Sequence, residues 1–119
     1  MTLNQLKERH MLREKLFNDL NRLELPVDDV EVEFRPFSKT YFGNYLPGKN
    51  KIFLYPYKNR FGELMDYSEI IKVAIHEFIH HLQYCDPSFV RLKGVMHNAQ
   101  FWSMYNSTID HAKQLGIEI

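Results

Sequence analysis

The segment His76-Glu77-Phe78-Ile79-His80 brings together residue types that bind metals and move protons. Histidines four positions apart in a helix lie on one face, one turn above the other, so both imidazoles can contact a single ion. Zinc favours such nitrogen ligands at about 2.0–2.1 Å. Glu77 is rotated roughly a third of a turn from the line that joins the two histidines, which sets its carboxylate beside the open position of the metal. The segment predicts a metal site in which Glu77 acts on a bound water.

A third metal ligand is expected outside this segment, because a catalytic zinc usually takes three protein ligands and a water. His97 is the candidate. It follows a loop and begins a predicted helix whose apolar residues would pack back against the helix of the motif. These residues are Phe101, Met104 and Tyr105. That packing would present His97 to the metal.

The other histidines are expected to lie away from the metal. His81 is turned about 100° from its neighbour His80 around the helix, so we expect it to point off the metal face and to be partly exposed. His111 lies about 21 Å of helix rise beyond His97, so only one of these two can be a ligand. His10 is expected to face solvent.

Hydrophobic periodicity predicts the helices that position the site. Apolar residues at three- and four-residue intervals predict an amphipathic helix from Leu3 to about Leu23. A central helix of about twenty residues follows Asp66 and ends near Cys85, and its nearly all-round apolar character indicates a buried position. The last helix is predicted from about His97 to Leu115, and a loop is predicted between Asp86 and Met96.

Three short strands are predicted between the first two helices. Val30–Arg35 alternates apolar and charged residues with a period of two. Two β-prone runs, Thr40–Leu46 and Lys51–Tyr55, flank Pro47–Asn50, where the Pro-Gly pair suits a type II turn. The sequence therefore predicts one α+β domain spanning residues 1–119, with a short three-stranded antiparallel-type sheet.

Composition limits the classes of function. At 119 residues the chain fits one domain, and 15 basic residues balance 15 acidic ones, so nothing favours nucleic acid. The single cysteine cannot form an internal disulfide, and Met1–Gln5 leads into charged residues without an apolar signal core. No apolar run approaches the roughly eighteen residues that a membrane span requires. We therefore expect a cytoplasmic protein with no membrane partner.

The run VAIHEFIHHLQYCDPSFVRLKGVMHNAQFWSMYNSTI resembles the SprT-like zinc metallopeptidases. In that family an H-E-x-x-H helix is followed, after a loop, by a third histidine in an H-x-x-x-F/W type segment, which here is HNAQFW at residues 97–102. The resemblance implies a zincin-like domain. It also implies that His76, His80 and His97 bind Zn²⁺ and that Glu77 is the catalytic acid/base.

The activity that the resemblance implies is that of a zinc metalloendopeptidase acting on a protein or peptide substrate. Many relatives carry a cysteine-rich zinc ribbon, and some bind DNA and digest proteins crosslinked to it. One cysteine cannot build a ribbon, and zero net charge offers no strong attraction to phosphates, so the DNA role does not transfer. Basic residues that could still form a local rim are Lys49, Lys51, Lys58, Arg60, Arg91 and Lys93.

Two other classes remain open. The chain could be a non-catalytic, zinc-stabilised module that binds a protein or nucleic acid, although a structural site has no need of Glu77 beside an open coordination position. It could also be an α+β domain without a metal, in which the motif histidines are hydrogen-bonded core residues.

Several groups could assist the chemistry. A second donor to an oxyanion is sought among Tyr84, Tyr105 and His111. Carboxylates that could orient the histidines are Asp110, Asp86 and Glu69. An extended peptide could pair with Lys51–Tyr55 or with the hairpin partner of that strand. Cys85, at a helix end, is expected to be a small buried hydrophobe.

Overall fold

A computed structural model describes residues 1–89 and 96–119 of the chain. Within these residues, helices and strands follow in the order α1 (Leu3–Arg22), β1 (Glu31–Phe34), β2 (Gly43–Leu46), β3 (Lys51–Leu54), α2 (Tyr67–Cys85) and α3 (Ala99–Gln114). The predicted α+β class is confirmed. No helix in the described ranges is long and apolar enough to cross a membrane.

The three strands form one mixed sheet in the order β1-β3-β2. β2 and β3 are antiparallel, as predicted, whereas β1 and β3 are parallel, so the antiparallel-type sheet was predicted correctly for only one of the two pairs. β3 lies between β1 and β2 and runs in the same direction as β1. Within residues 1–89 and 96–119, β3 is paired on both sides and β2 is an edge strand.

The hairpin turn between β2 and β3 has the predicted geometry. Gly48 has a φ of 80°, which an L-residue with a side chain rarely adopts. The backbone N–H of Lys49 donates to the carbonyl of Leu46 at 3.2 Å, which closes a turn with Pro47 and Gly48 at its centre. These features match the type II turn expected from the Pro-Gly pair.

One face of the sheet is buried against the helices. Val32 lies beside Ile52 and Phe34 beside Leu54 in the parallel register, and all four side chains are buried. The helix α2 packs on β2 and β3 on one side and on α3 on the other. Its core residues are Ile70, Ile71, Ala74, Ile75, Phe78 and Ile79. The motif helix is therefore held centrally, as its apolar character predicted.

The outer edge of β1 is covered by α1. The backbone N–H groups of Glu31 and Arg35 point toward β3. Because successive residues of a strand point their backbone groups to opposite sides, the carbonyls of Val32 and Phe34 point away from β3. Both of these outward carbonyls accept hydrogen bonds from α1: Arg9 donates to Phe34 and Arg13 to Val32, each at 3.0 Å.

A buried polar contact joins α1 to the start of α2. The Tyr67 hydroxyl donates to Oδ2 of the buried Asp19 carboxylate at 2.6 Å. Arg22 pairs with the other carboxylate oxygen at 3.5 Å, and Lys15 Nζ lies 4.0 Å from the centre of the Tyr67 ring. Burial raises the pKa of Tyr67 well above its usual value, and the hydrogen bond to the Asp19 carboxylate raises it further. The phenol therefore stays a hydrogen-bond donor.

Replacement of Tyr67 by phenylalanine should lower the free energy of unfolding by about 1–3 kcal/mol, because it leaves a buried carboxylate without its closest donor. Urea unfolding measures the change. Tyr55→Phe is the matched control, since within the described residues its hydroxyl makes no hydrogen bond and a change within about 0.5 kcal/mol is expected. Equal loss in both variants would contradict the role of the Asp19 contact.

Candidate metal centre

Two of the predicted ligands lie one turn apart on the central helix. The ring centres of His76 and His80 are 4.7 Å apart, as the four-residue spacing requires. His80 is buried, with 7% of its surface exposed, while His76 is half-buried at the edge of a cleft.

The third predicted ligand, His97, reaches the same place from the segment just before α3. Its ring centre lies 5.0 Å from that of His76 and 4.9 Å from that of His80. The sequence predicted that His97 begins the last helix, but His97 precedes α3. The N-cap of α3 is Asn98, whose side chain accepts a hydrogen bond from the N–H of Phe101 at 2.9 Å. Residues 90–95 of the predicted loop before it lie outside the described residues.

The three imidazoles fit a metal ion. One ring nitrogen from each histidine can be chosen so that all three lie within 4.8 Å of one another, and Nε2 of His80 is 3.0 Å from Nε2 of His97. Tetrahedral zinc at 2.0–2.1 Å would separate two ligand nitrogens by roughly 3.3 Å. Burial lowers the pKa of both His80 and His97, which favours the neutral form that binds metals. The cluster could therefore hold a metal ion.

Phe101 forms the floor of the cluster. Its fully buried ring has centre-to-centre distances of 5.0, 4.7 and 4.9 Å to His76, His80 and His97, respectively. The sequence predicted that Phe101 packs against the central helix, but not that it contacts all three candidate ligands. Trp102, 5.7 Å from His97, covers the cluster from the side of α3.

Glu77 lies beside the cluster with a buried carboxylate. Its Oε2 is 3.0 Å from Nδ1 of His76, and only 8% of its side chain is exposed. The edge strand passes very close to it at Gly43: a Cβ on that residue would lie 2.7 Å from Cγ1 of Val73 and 3.0 Å from Cγ of Glu77. Only glycine allows this approach, a constraint that the sequence analysis did not detect.

A cleft of about 300 Å³ opens between the edge strand and the helices α2 and α3. It is lined by Thr40, Tyr41, Phe42, Gly43, Lys72, Val73, His76, Glu77 and Tyr105. Of the three groups considered as a second oxyanion donor, Tyr105 therefore lies in the cleft. Tyr84 instead packs against Tyr45, and His111 is exposed further along α3.

The ring nitrogen of His80 that points away from His97, Nδ1, is hydrogen-bonded to a side-chain amide. Oε1 of Gln83 lies 2.8 Å from Nδ1 of His80. The carboxylates suggested from the sequence do not make this contact, and Asp86 instead accepts a hydrogen bond from the N–H of Ser88 at 2.9 Å. Gln83 lies three positions after His80, so the helical spacing could have indicated that the two side chains are neighbours. The spacing does not show which polar neighbour forms the hydrogen bond to His80.

Other residues considered from the sequence lie outside the cluster. His81 points away from the metal face as predicted, but it is buried, because β2 covers that side of α2 and Nδ1 of His81 is 2.9 Å from the Tyr45 hydroxyl. Burial lowers its pKa. Cys85, the last residue of α2, is exposed, contrary to the expected burial, because Tyr84 is the residue of this turn that packs against Tyr45 of β2. His10 is exposed, as expected.

The suggested basic rim is partly neutralised. Lys51 pairs with Glu31 at 3.6 Å, and Lys58 pairs with Glu63 at 3.3 Å. Of the remaining candidates, Arg91 and Lys93 lie outside the described residues.

Comparison with known proteins adds no relative. No family model matches the chain, and neither the curated proteins nor the solved structures contain a significant match.

Proposed function

We propose that this protein is a zinc-dependent metalloendopeptidase of the SprT-like type. The observation that carries the proposal is the convergence of three imidazoles, two from α2 and one from the residue before the N-cap of α3, beside a buried glutamate at the edge of an open cleft. The resemblance of residues 73–109 to SprT-like peptidases supports the same activity. A metal held only for structure would not require a carboxylate at the cleft.

The roles of the ligands follow from their chemistry. His76, His80 and His97 would hold the ion, and zinc is the metal that a catalytic set of three histidines commonly binds. When bound, zinc lowers the pKa of water to about 7 and polarises a peptide carbonyl. Phe101, beneath the rings, would exclude water from the protein side of the site and keep the imidazoles in place.

Glu77 is the proposed general base and acid. Its carboxylate borders both His76 and the cleft, so it can take a proton from the attacking water and return it to the departing amine. Tyr105 is the proposed donor to the carbonyl oxygen as this atom becomes negative. Burial raises the pKa of Tyr105, which keeps its hydroxyl protonated for that role.

The edge strand provides a way to bind an extended peptide. Phe42 accepts a hydrogen bond from the N–H of Tyr55, the residue just after β3, so the backbone groups of the next residue, Gly43, point away from β3. A substrate strand could pair with them. Among the described strands β3 is paired on both sides and β2 on one side, so β2 is the strand of the hairpin that can accept a peptide. Recognition through backbone groups predicts loose sequence preference.

Digestion of casein tests the proposed activity. The zinc-loaded protein should cleave casein, lose that activity with a zinc chelator and regain it when zinc is added back. Cleavage that persists under chelation would contradict the proposal. Stoichiometric zinc binding without cleavage of casein or denatured proteins would instead favour the alternative, a zinc-stabilised binding module.

Replacement of Gly43 by alanine should lower kcat/KM for peptide cleavage at least tenfold, because displacement of a catalytic group by about 1 Å can cost around 100-fold. The new Cβ would lie 2.7 Å from Val73 Cγ1 and 3.0 Å from Glu77 Cγ, so the edge strand or the glutamate must shift. Zinc affinity should change much less than kcat/KM, because the new Cβ would contact none of the three histidines.

The double variant Gly43→Ala with Val73→Ala serves as the control for this prediction. It removes the shortest contact, so it should recover part of the activity that Gly43→Ala loses. The fall in kcat/KM from Val73→Ala to the double variant should therefore be smaller than the fall from the wild type to Gly43→Ala. Full activity in the Gly43→Ala single variant would show that the close approach has no catalytic importance.

A further inference from the structure

We propose that Gln83 is a positioning residue that orders two of the three metal ligands through the two ends of its side-chain amide. The inference deepens the proposed metal centre and rests on it. Oε1 of Gln83 is 2.8 Å from Nδ1 of His80, and Nε2 of Gln83 donates to the backbone carbonyl of Met96 at 2.8 Å. One amide thus contacts a ligand on α2 and the residue just before His97.

The direction of the amide follows from its partners. The carbonyl of Met96 can only accept, so the NH₂ group of Gln83 must face it and the amide oxygen must face His80. That oxygen in turn requires a proton on Nδ1 of His80. The lone pair of His80 is then on Nε2, the atom that lies 3.0 Å from Nε2 of His97 and points into the cluster. Gln83 therefore selects the tautomer in which His80 can bind a metal there.

The second contact acts on His97. This histidine is exposed and precedes the first residue of α3, so the hydrogen bonds of that helix do not hold its backbone. On its C-terminal side Asn98 caps the helix through the N–H of Phe101. On its N-terminal side Gln83 holds the carbonyl of Met96. The backbone of His97 is therefore fixed on both sides before a metal arrives, which reduces the ordering that binding requires.

The test is zinc affinity, measured by competition with a chromophoric chelator, for the wild type and for Gln83→Met. Methionine has similar length and helix propensity but offers no amide. We expect affinity to fall 10–100-fold, the usual effect of losing a group that orients a metal ligand, with an unchanged unfolding midpoint of the zinc-free protein. Gln114→Met, an exposed change near the end of α3, should bind zinc like the wild type.

A zinc affinity of Gln83→Met within twofold of the wild type would overturn the proposal, as would an equal loss in Gln114→Met. A second measurement needs only the wild type: imidazole nitrogen shifts of the zinc-free protein should show His80 with its proton on Nδ1. A proton on Nε2 of His80 would also overturn the proposal. Because this measurement does not use the variant, it remains decisive if Gln83→Met fails to fold.

These results are separable from those that test the activity. A wild-type protein that binds zinc but cleaves nothing would refute the peptidase and leave the role of Gln83 intact. A wild-type protein that binds no zinc would refute both.

Discussion

Replacement of Glu77 by glutamine should reduce the rate of peptide cleavage by about 10²–10⁴-fold and leave zinc affinity close to that of the wild type. Glutamine keeps the size of the side chain and an oxygen that can accept from Nδ1 of His76, now 3.0 Å from Oε2 of Glu77. It cannot take a proton from water or return one to the departing amine. The loss should therefore appear in kcat, with the folded structure and the bound metal retained.

The matched control for this variant is Glu69→Gln. Glu69 is exposed in the first turn of the same helix and does not line the cleft, so its replacement makes the same change of charge away from the site. Cleavage should be unaffected. Undiminished cleavage by Glu77→Gln would exclude the proposed acid/base role, and loss of zinc from that variant would show that the carboxylate acts as a ligand instead.

Replacement of His97 by alanine should weaken zinc binding by at least about 100-fold and abolish cleavage. Groups that only orient a ligand already contribute 10–100-fold to metal affinity, so removal of one of three ligands should cost more. Because His97 is exposed and outside α3, the zinc-free variant should unfold at nearly the wild-type midpoint. Competition titration with a chelator measures the affinity.

His111→Ala provides the comparison for this substitution. His111 is an exposed histidine of α3, and it is not one of the three clustered residues. Its loss should leave both zinc affinity and cleavage unchanged. If His97→Ala and His111→Ala bound zinc equally well, the assignment of the third ligand would be wrong.

The parts of the fold that depend on local pattern were predictable. The helix of the motif was expected to end near Cys85, where it does end, and the type II turn at Pro47 and Gly48 followed from two residues. The parallel pairing of β1 with β3 was not predicted, because it depends on where a hairpin is placed relative to a distant strand, and period-two alternation is the same for both directions.

The same distinction applies to the candidate site. His76 and His80 share a helix face by spacing alone, and His97 was inferred from how the last helix must pack, so the three clustered residues are those predicted. Gly43 and Gln83 were missed. Glycine in a strand has no side chain to reveal a close approach, and the partners of an amide depend on backbone placed by tertiary packing.

Burial of His81 and exposure of Cys85 were also predicted incorrectly, and for a related reason. Both residues lie in the second half of α2, where the position of β2 decides which side of the helix is covered. The apolar pattern of the helix indicated a central position, but it could not show which side chains in this half of the helix face β2.

The most direct test of the account is a crystal structure of the zinc-loaded protein with anomalous data collected on both sides of the zinc absorption edge. We predict one zinc peak per chain, about 2.0–2.1 Å from a ring nitrogen of each of His76, His80 and His97. A protein that takes up no zinc, or a peak that contacts fewer than all three imidazoles, would contradict the central claim.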